Sequence, residues 1–382
     1  MLRIIVTGLI AQYPLGGMAW HYLQYVLGLV RLGHDVYYLE DTGLWPYNPR
    51  EKGLSKNCEF NVAYLNDLMS YYGLEDRWAY RFPWRDQWFG LSDRARKEVV
   101  DSADLVINVS GVLEAPNRYR GGHSRLLYID TDPVFTQLKL VRGQHDFERL
   151  IDQHDVQFSF GEALDRTPFE TKFEWKPTRQ PIVLSEWTNR GTSRNRFTTV
   201  MNWTSYKPIV YQGQSYGQKN DEFDKFIELP GYFPNETFEL AVNQGKTLRT
   251  PRKRLKKNGW SLVDPDVVCA DLFSYRKYIE TSKAEWTVAK SGYVKGRAGW
   301  FSERSACYLA AGKPVIVQDT GFLDILTCGR GLIPFSDMDE AKLAVESVNA
   351  SYLEHSRAAR EIANTFFDSN KVLDDLLREA VV

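Results

Sequence analysis

The chain is predicted to be an α/β protein made of two parallel, doubly wound halves, and three observations carry that prediction. The first is its opening: an aliphatic run at residues 2–6, a loop holding Gly16 and Gly17, apolar residues at helical spacing from Met18 to Leu32, and a second strand at residues 36–39. The second is that the same alternation begins again at residues 197–203. The third is length, because 382 residues exceed what one ordinary core holds and suit two Rossmann-like domains of ordinary size.

Residues 299–322 are the most informative stretch. Trp300 and Phe301 form a loop, Ser302 opens a helix with Glu303 in its first turn, Gly312 stops it, and a buried strand at residues 314–317 runs into the polar loop Gln318-Asp319-Thr320-Gly321. A helix start attracts anions, because its first N–H groups lack intrahelical partners and the macrodipole is positive there. The loop after a parallel strand is where open α/β sheets place ligand contacts. Phosphate and hydroxyl recognition therefore meet in one segment, a combination suited to a sugar nucleotide. Any α/β protein also contains such a unit as plain structure.

Composition bounds the rest. A hydrophobic fraction of 43% and a charged fraction of 25% describe a globular chain. Eleven Trp, 21 Tyr and 20 Phe serve the core first and sugar stacking second. A net charge of −1 gives no global attraction to nucleic acid or anionic membrane. The four cysteines have no zinc-like spacing, and the apolar N-terminus is too short for a signal core or a membrane span. A reduced, cytoplasmic protein without a metal centre is the expectation.

Along the chain, Glu40-Asp41 ends the second strand, where it would face an acceptor or cap a turn. Residues 43–98 are rich in Trp, Tyr and Arg with few regular periods, which predicts an irregular insertion with short helices. Further strands are expected at residues 105–109 and 126–129, the latter running into Asp130-Thr131-Asp132-Pro133. Two carboxylates after a parallel strand suit acid–base work, since each raises the other's pKa, or a capped turn before Pro133. Residues 176–181 break the pattern and residues 188–195 read as a linker. Strands follow at residues 238–242 and 260–263, and amphipathic helices at 339–348, 351–367 and 372–377 close the chain. Residues 249–257 carry six basic side chains in nine, a solvated face by default and a nucleic-acid contact as the alternative.

The segment Ala-Ala-Gly-Lys-Pro-Val-Ile followed by Gln-Asp-Thr-Gly resembles the donor-binding segment of GT-B glycosyltransferases, and Gly-Gly-x-x-x-His at Gly16–His21 resembles their first loop. The resemblance implies a metal-independent transferase, with a nucleotide sugar, UDP-linked, as co-substrate and no other cofactor. It implies an acceptor-side domain at residues 1–187, a donor domain at 188–364 and a helix at 365–382 crossing back to the first. By the same resemblance Ser302, Arg304 and Lys219 lie near the donor diphosphate, Glu303, Asp319, Thr320 and Gly321 near ribose or sugar, and Gly16 and Gly17 face the acceptor. The paired glutamates of the large retaining family would fall at Gly299 and Cys307, and neither is acidic.

An inverting transfer needs a base, and His21, Asp130 and Asp132 are the candidates. His21 leads because an imidazole titrates near neutral pH, while its alternative is a packed helix-face histidine. A non-catalytic sugar-nucleotide binder and a DNA-modifying transferase are the competing readings.

Overall fold

The computed structural model describes residues 1–188 and 194–381. The linker expected at residues 188–195 lies, for residues 189–193, outside them. The main sheet of the first half has eight strands: β1 (Arg3–Thr7), β2 (Asp35–Glu40), β3 (Trp78–Phe82), β4 (Gln87–Gly90), β5 (Leu105–Val109), β6 (Arg125–Asp130), β7 (Val156–Ser159) and β8 (Trp175–Pro177). They line up as β8-β7-β6-β5-β1-β2-β3-β4, all parallel except the terminal hairpin β3–β4. The second half carries β9 (Arg196–Met201), β10 (Thr237–Val242), β11 (Ser261–Val263), β12 (Ala284–Thr287), β13 (Val315–Gln318) and β14 (Leu332–Phe335), in the order β11-β10-β9-β12-β13-β14, all parallel.

Both sheets therefore have the doubly wound order in which the chain starts in the middle, runs out one way and returns to run out the other. Each has one switch point, β1/β5 in the first sheet and β9/β12 in the second, and the crevice beyond the strand ends there is where such sheets take ligands. The two carboxyl edges face one another. Asp132, after β6, bonds to Tyr206, after β9, and to Lys290, after β12.

Two stretches differ from expectation. The Trp- and Tyr-rich region holds two strands of the main sheet and a helix (Glu59–Tyr71) of 13 residues. Strand β3 shows no period-2 pattern because four of its five residues are buried, so its aromatics serve both faces. Residues 176–181 do not break the sheet at once: β8 adds an edge strand, where Pro177 costs no ladder bond.

Helix α1 (Gly16–Arg31) joins the halves. A Cβ on Gly16 would stand 2.3 Å from the Asp271 carbonyl oxygen. Trp20 Nε1 donates to the Leu272 carbonyl at 3.0 Å, and Gln24 reaches the second half at Glu303. A Cβ on Gly28 would stand 2.5 Å from Leu373 on the last helix, α8 (Ser369–Val381). Helix α8 crosses back to the first sheet, where the Arg125 guanidinium donates to the Ala380 carbonyl at 2.6 Å. One continuous buried apolar cluster, with Trp20, Trp187, Tyr275 and Phe367 among its members, spans both halves.

Gly16→Ala has a backbone oxygen in its way, so the helix must retreat. Overpacking of this kind costs about 1–3 kcal/mol, and chemical denaturation should show that loss; an unchanged midpoint would mean the seam is soft.

Candidate functional site

At the switch point of the second sheet three features converge. The first is Lys219, the first residue of the short helix α3 (Lys219–Phe223) that follows β9. It is half-buried, and among the described residues its ammonium has no ion-pair partner within 4 Å. Burial and then the repulsion of Arg304 push its pKa well below the ordinary lysine value, with Glu285 opposing. A lysine held in that state gains from any anion placed beside it.

The second is the start of helix α6 (Glu303–Ala310). Ser302 is its N-cap residue, yet its hydroxyl makes no cap bond. The first intrahelical bond runs from the Ala306 N–H to the Ser302 carbonyl, at 3.0 Å. The N–H groups of Glu303, Arg304 and Ser305 precede it and are left to a ligand or to water.

The third is Arg304 itself. Its side chain donates to Glu285 on β12, to the Val200 carbonyl at 2.8 Å and to Thr287 Oγ1 at 3.0 Å. Glu285 is fully buried. Three of the five guanidinium N–H groups are thus spent bracing the strand ends, and with Arg304 paired to Glu285 it is Lys219 that is left without an ion-pair partner among the described residues.

Glu303 accepts from Gln24 Nε2 at 3.1 Å and from Cys307 Sγ at 3.0 Å, and burial pushes its carboxyl up to about 7. Asp319, only 4% exposed, pairs with Arg297 at 2.9 Å and accepts the Gly321 N–H at 2.8 Å. Thr320 Oγ1 donates to the Trp300 carbonyl. Gly321 has φ +97°, and a Cβ there would stand 2.5 Å from the Arg297 carbonyl oxygen, so only glycine fits. The 319–321 loop forms the wall that braces residues 297–300.

On the first half, His21 lies at the switch point β1/β5. Its Nε2 is 3.5 Å from Ser110 Oγ, which in turn is 2.8 Å from Thr131 Oγ1. Burial lowers the His21 pKa to about 4, below the near-neutral titration expected from the sequence, so the ring is neutral at pH 7 but a weaker proton acceptor than an unperturbed imidazole. Ser110 has φ +62°, a conformation that costs a non-glycine residue about 1–2 kcal/mol, and it sits where a ligand edge is expected.

The aspartates are placed differently. Asp130 is buried and accepts from Thr136 at 2.7 Å, Ser159 at 2.8 Å and Gln137 at 3.1 Å; burial raises its pKa. Asp132 accepts from Lys290 at 2.8 Å, Tyr206 at 2.8 Å and Tyr293, and its pKa is lowered: burial, the largest single influence, would raise it, but the Lys290 charge together with the hydrogen bonds from Lys290, Tyr293 and Tyr206 outweighs that. One ties its own turn and the other ties the two halves together.

Glu40 accepts the Ala11 and Gln12 N–H groups and the Tyr38 hydroxyl, with its carboxyl pushed up to about 7 by burial. Asp41 holds Arg81 at 2.9 Å and Tyr119 at 2.8 Å. Gly16 and Gly17 pack against Tyr275 of the second half.

Sequence reasoning missed Gln24, Ser110, Lys290 and the two tyrosines on Asp132, whose side-chain partners lie 74 or more residues away except for Thr131. Only the Ser110-Gly111 pair at a strand end gave a signal, as a turn. Residues 249–257 form the end of a loop after β10 and a helix (Arg252–Lys257) on the same edge; Arg249, Lys253, Lys256 and Lys257 are exposed.

Two predictions follow from these charges. Lys219→Met should keep or raise the melting temperature, because an uncompensated, desolvated charge is removed. It should weaken binding of a diphosphate-bearing probe by roughly ten- to a hundredfold, the weight of a charged hydrogen bond; titration calorimetry reads both affinity and its loss. A folded-state carboxyl pKa of about 7 against an ordinary 4.5 means that stability is full below pH 4.5 and falls as pH rises through 7. Glu303→Gln should flatten that fall between pH 4.5 and 7, leaving the share of Glu40; an unaltered slope would remove Glu303 as its source.

No family model and no curated protein matches the chain by sequence. Solved structures match along its whole length. An alpha-glucosyltransferase (AGT) in complex with UDP superposes with a TM-score of 0.60 at 12% identity, covering 100% of both chains. A sucrose-phosphate synthase from Thermosynechococcus elongatus gives 0.56 at 12% identity over 98% of both. HepE from Anabaena in complex with UDP and glucose gives 0.55 at 12% identity, over 99% of this chain and 100% of that one. The likeness is one of architecture, and with the strand orders and returning helix above it shows that this chain has the GT-B fold.

Proposed function

We propose that the chain is a glycosyltransferase that moves a sugar, hexosyl or pentosyl, from a UDP-linked donor to an acceptor hydroxyl between the two carboxyl edges. The observation that carries this is Lys219, a cation with no ion-pair partner among the described residues, at the switch point beside the open start of α6. A nucleoside diphosphate leaving group gathers negative charge as the glycosidic bond breaks, and preorganised donors aimed at it lower that barrier. Lys219 and the N–H groups of residues 303–305 supply this. The structures of similar fold with UDP bound support the choice of nucleotide.

His21 is assigned the base, because it is the neutral imidazole at the first switch point and both aspartates have their oxygens engaged. Gln24, one helical turn after His21, touches Glu303, so the imidazole and the α6 start share one seam. His21→Ala should lower transfer by on the order of a hundredfold while UDP binding survives. Full turnover in His21→Ala with complete loss in Asp132→Asn would hand the role to the aspartate. Release of UDP from a panel of UDP-sugars, with and without acceptors, separates a transferase from a non-catalytic binder.

A second reading, transfer to modified DNA, draws on the exposed cations of residues 249–257 on the carboxyl edge of the second sheet, and on the alpha-glucosyltransferase of similar fold solved with a 13-mer DNA. Its mark would be retention on DNA that falls steeply with salt.

A further inference from the structure

A cavity of about 560 Å³ lies in the first half, lined by residues 41–119 alone and sharing none with the Lys219 site. Its walls come from the end of β2, the hairpin β3–β4, the helix Asp93–Asp101 and the turn Pro116–Tyr119. That volume is in the range of pockets that hold a small organic molecule.

Its electrostatics are specific. Four cations, Arg81, Arg96, Lys97 and Arg118, face three carboxylates, Asp41, Asp86 and Asp101. Arg81 is fixed by Asp41 at 2.9 Å, Asp86 at 2.7 Å and Glu114 at 3.2 Å, so three carboxylates hold one guanidinium. Arg96 is held flat at 4.0 Å over the Trp88 ring, with its charge shared only with Asp93 at the helix start. The side chains of Arg81 and Arg96 are only 16% and 18% exposed. Lys97 and Arg118 have no ion-pair partner within 4 Å among the described residues, and Asp101 is the one lining carboxylate left against them.

We propose that this cavity binds a small molecule through a phosphomonoester group. Two oriented guanidiniums and two uncommitted cations suit a dianion with three oxygens, since planar guanidinium forks bond phosphate bidentately. The volume beyond the anion takes an organic body, with the exposed part of the Trp88 ring as its apolar wall. A monocarboxylate satisfies fewer of these donors. The site is separate from the proposed donor site and stands whether or not that assignment does.

The test is titration calorimetry of the full chain with glucose 6-phosphate, glucose, inorganic phosphate and UDP. Glucose 6-phosphate should bind saturably and glucose should not. Arg96→Gln with Arg118→Ala should weaken glucose 6-phosphate at least tenfold and leave UDP unchanged, whereas Lys219→Met should do the reverse. Inorganic phosphate binding that is lost in the same double variant supports the anion pocket; the margin by which glucose 6-phosphate exceeds it measures the organic body. Arg118→Ala alone removes an exposed, unpaired side chain and serves as the folded control, with a severalfold loss expected. Absence of saturable binding by both phosphates, or binding that the double variant leaves unchanged, overturns the proposal.

Discussion

The rest of the structure depends on one stripe of helix α1. Gly16, Trp20, Gln24 and Gly28 are four residues apart, so they fall on a single face. Every one of them meets the second half or the returning helix: Gly16 at the Asp271 carbonyl, Trp20 at the Leu272 carbonyl, Gln24 at Glu303 and Gly28 at Leu373. Gly16 lets the helix reach the Asp271 backbone, and Gly28 leaves room for the Leu373 and Ser369 side chains. Between them, Trp20 and Gln24 make directional bonds that fix the register. Gln24 is fully used, since its carbonyl oxygen also accepts the Val183 N–H and Trp187 Nε1, both at 3.0 Å. The seam thereby sets where α6 begins relative to His21.

That geometry sorts the charges near the seam into two kinds. Asp132 with Lys290 and two tyrosines, Glu285 with Arg304, and Asp319 with Arg297 are paired charges, each neutralised inside the protein, and they fix strand ends and loops. Lys219 is the exception. Its ammonium is desolvated without a carboxylate of its own, a cost the fold bears at the point where two parallel strands diverge. A charge kept unpaired at a switch point is what an anionic ligand would complete. The neutral imidazole of His21 on the opposing edge and the strained Ser110 beside it form the other wall.

Much of this architecture was legible in the sequence, for a physical reason. Parallel strands buried on both faces appear as mainly apolar runs, and residues 2–6, 105–109 and 238–242 did, each with a single polar residue, Arg3, Asn108 and Glu239. The helix start at Ser302, the stop at Gly312 and the strand after it followed from local cap and turn chemistry. Strand β3 was hidden because aromatics replaced aliphatics, and β14 because Pro334 argues against a strand away from an edge; it is the edge. The position of Glu40, Asp41, Asp130 and Asp132 at strand ends was also legible. What each carboxylate does was not, because the partners of Asp132 are 74, 158 and 161 residues away in sequence. Only packing could reveal that most of these acids are structural.

The central claim is that the second sheet's switch point holds a nucleoside diphosphate. A crystal structure of the protein with UDP tests it most directly. The account predicts the diphosphate within hydrogen-bond distance of Lys219 Nζ and of the N–H groups that open α6, with the Lys219–Arg304 repulsion relieved by the bound charge. UDP found elsewhere, with Lys219 still free of any anion, would contradict it.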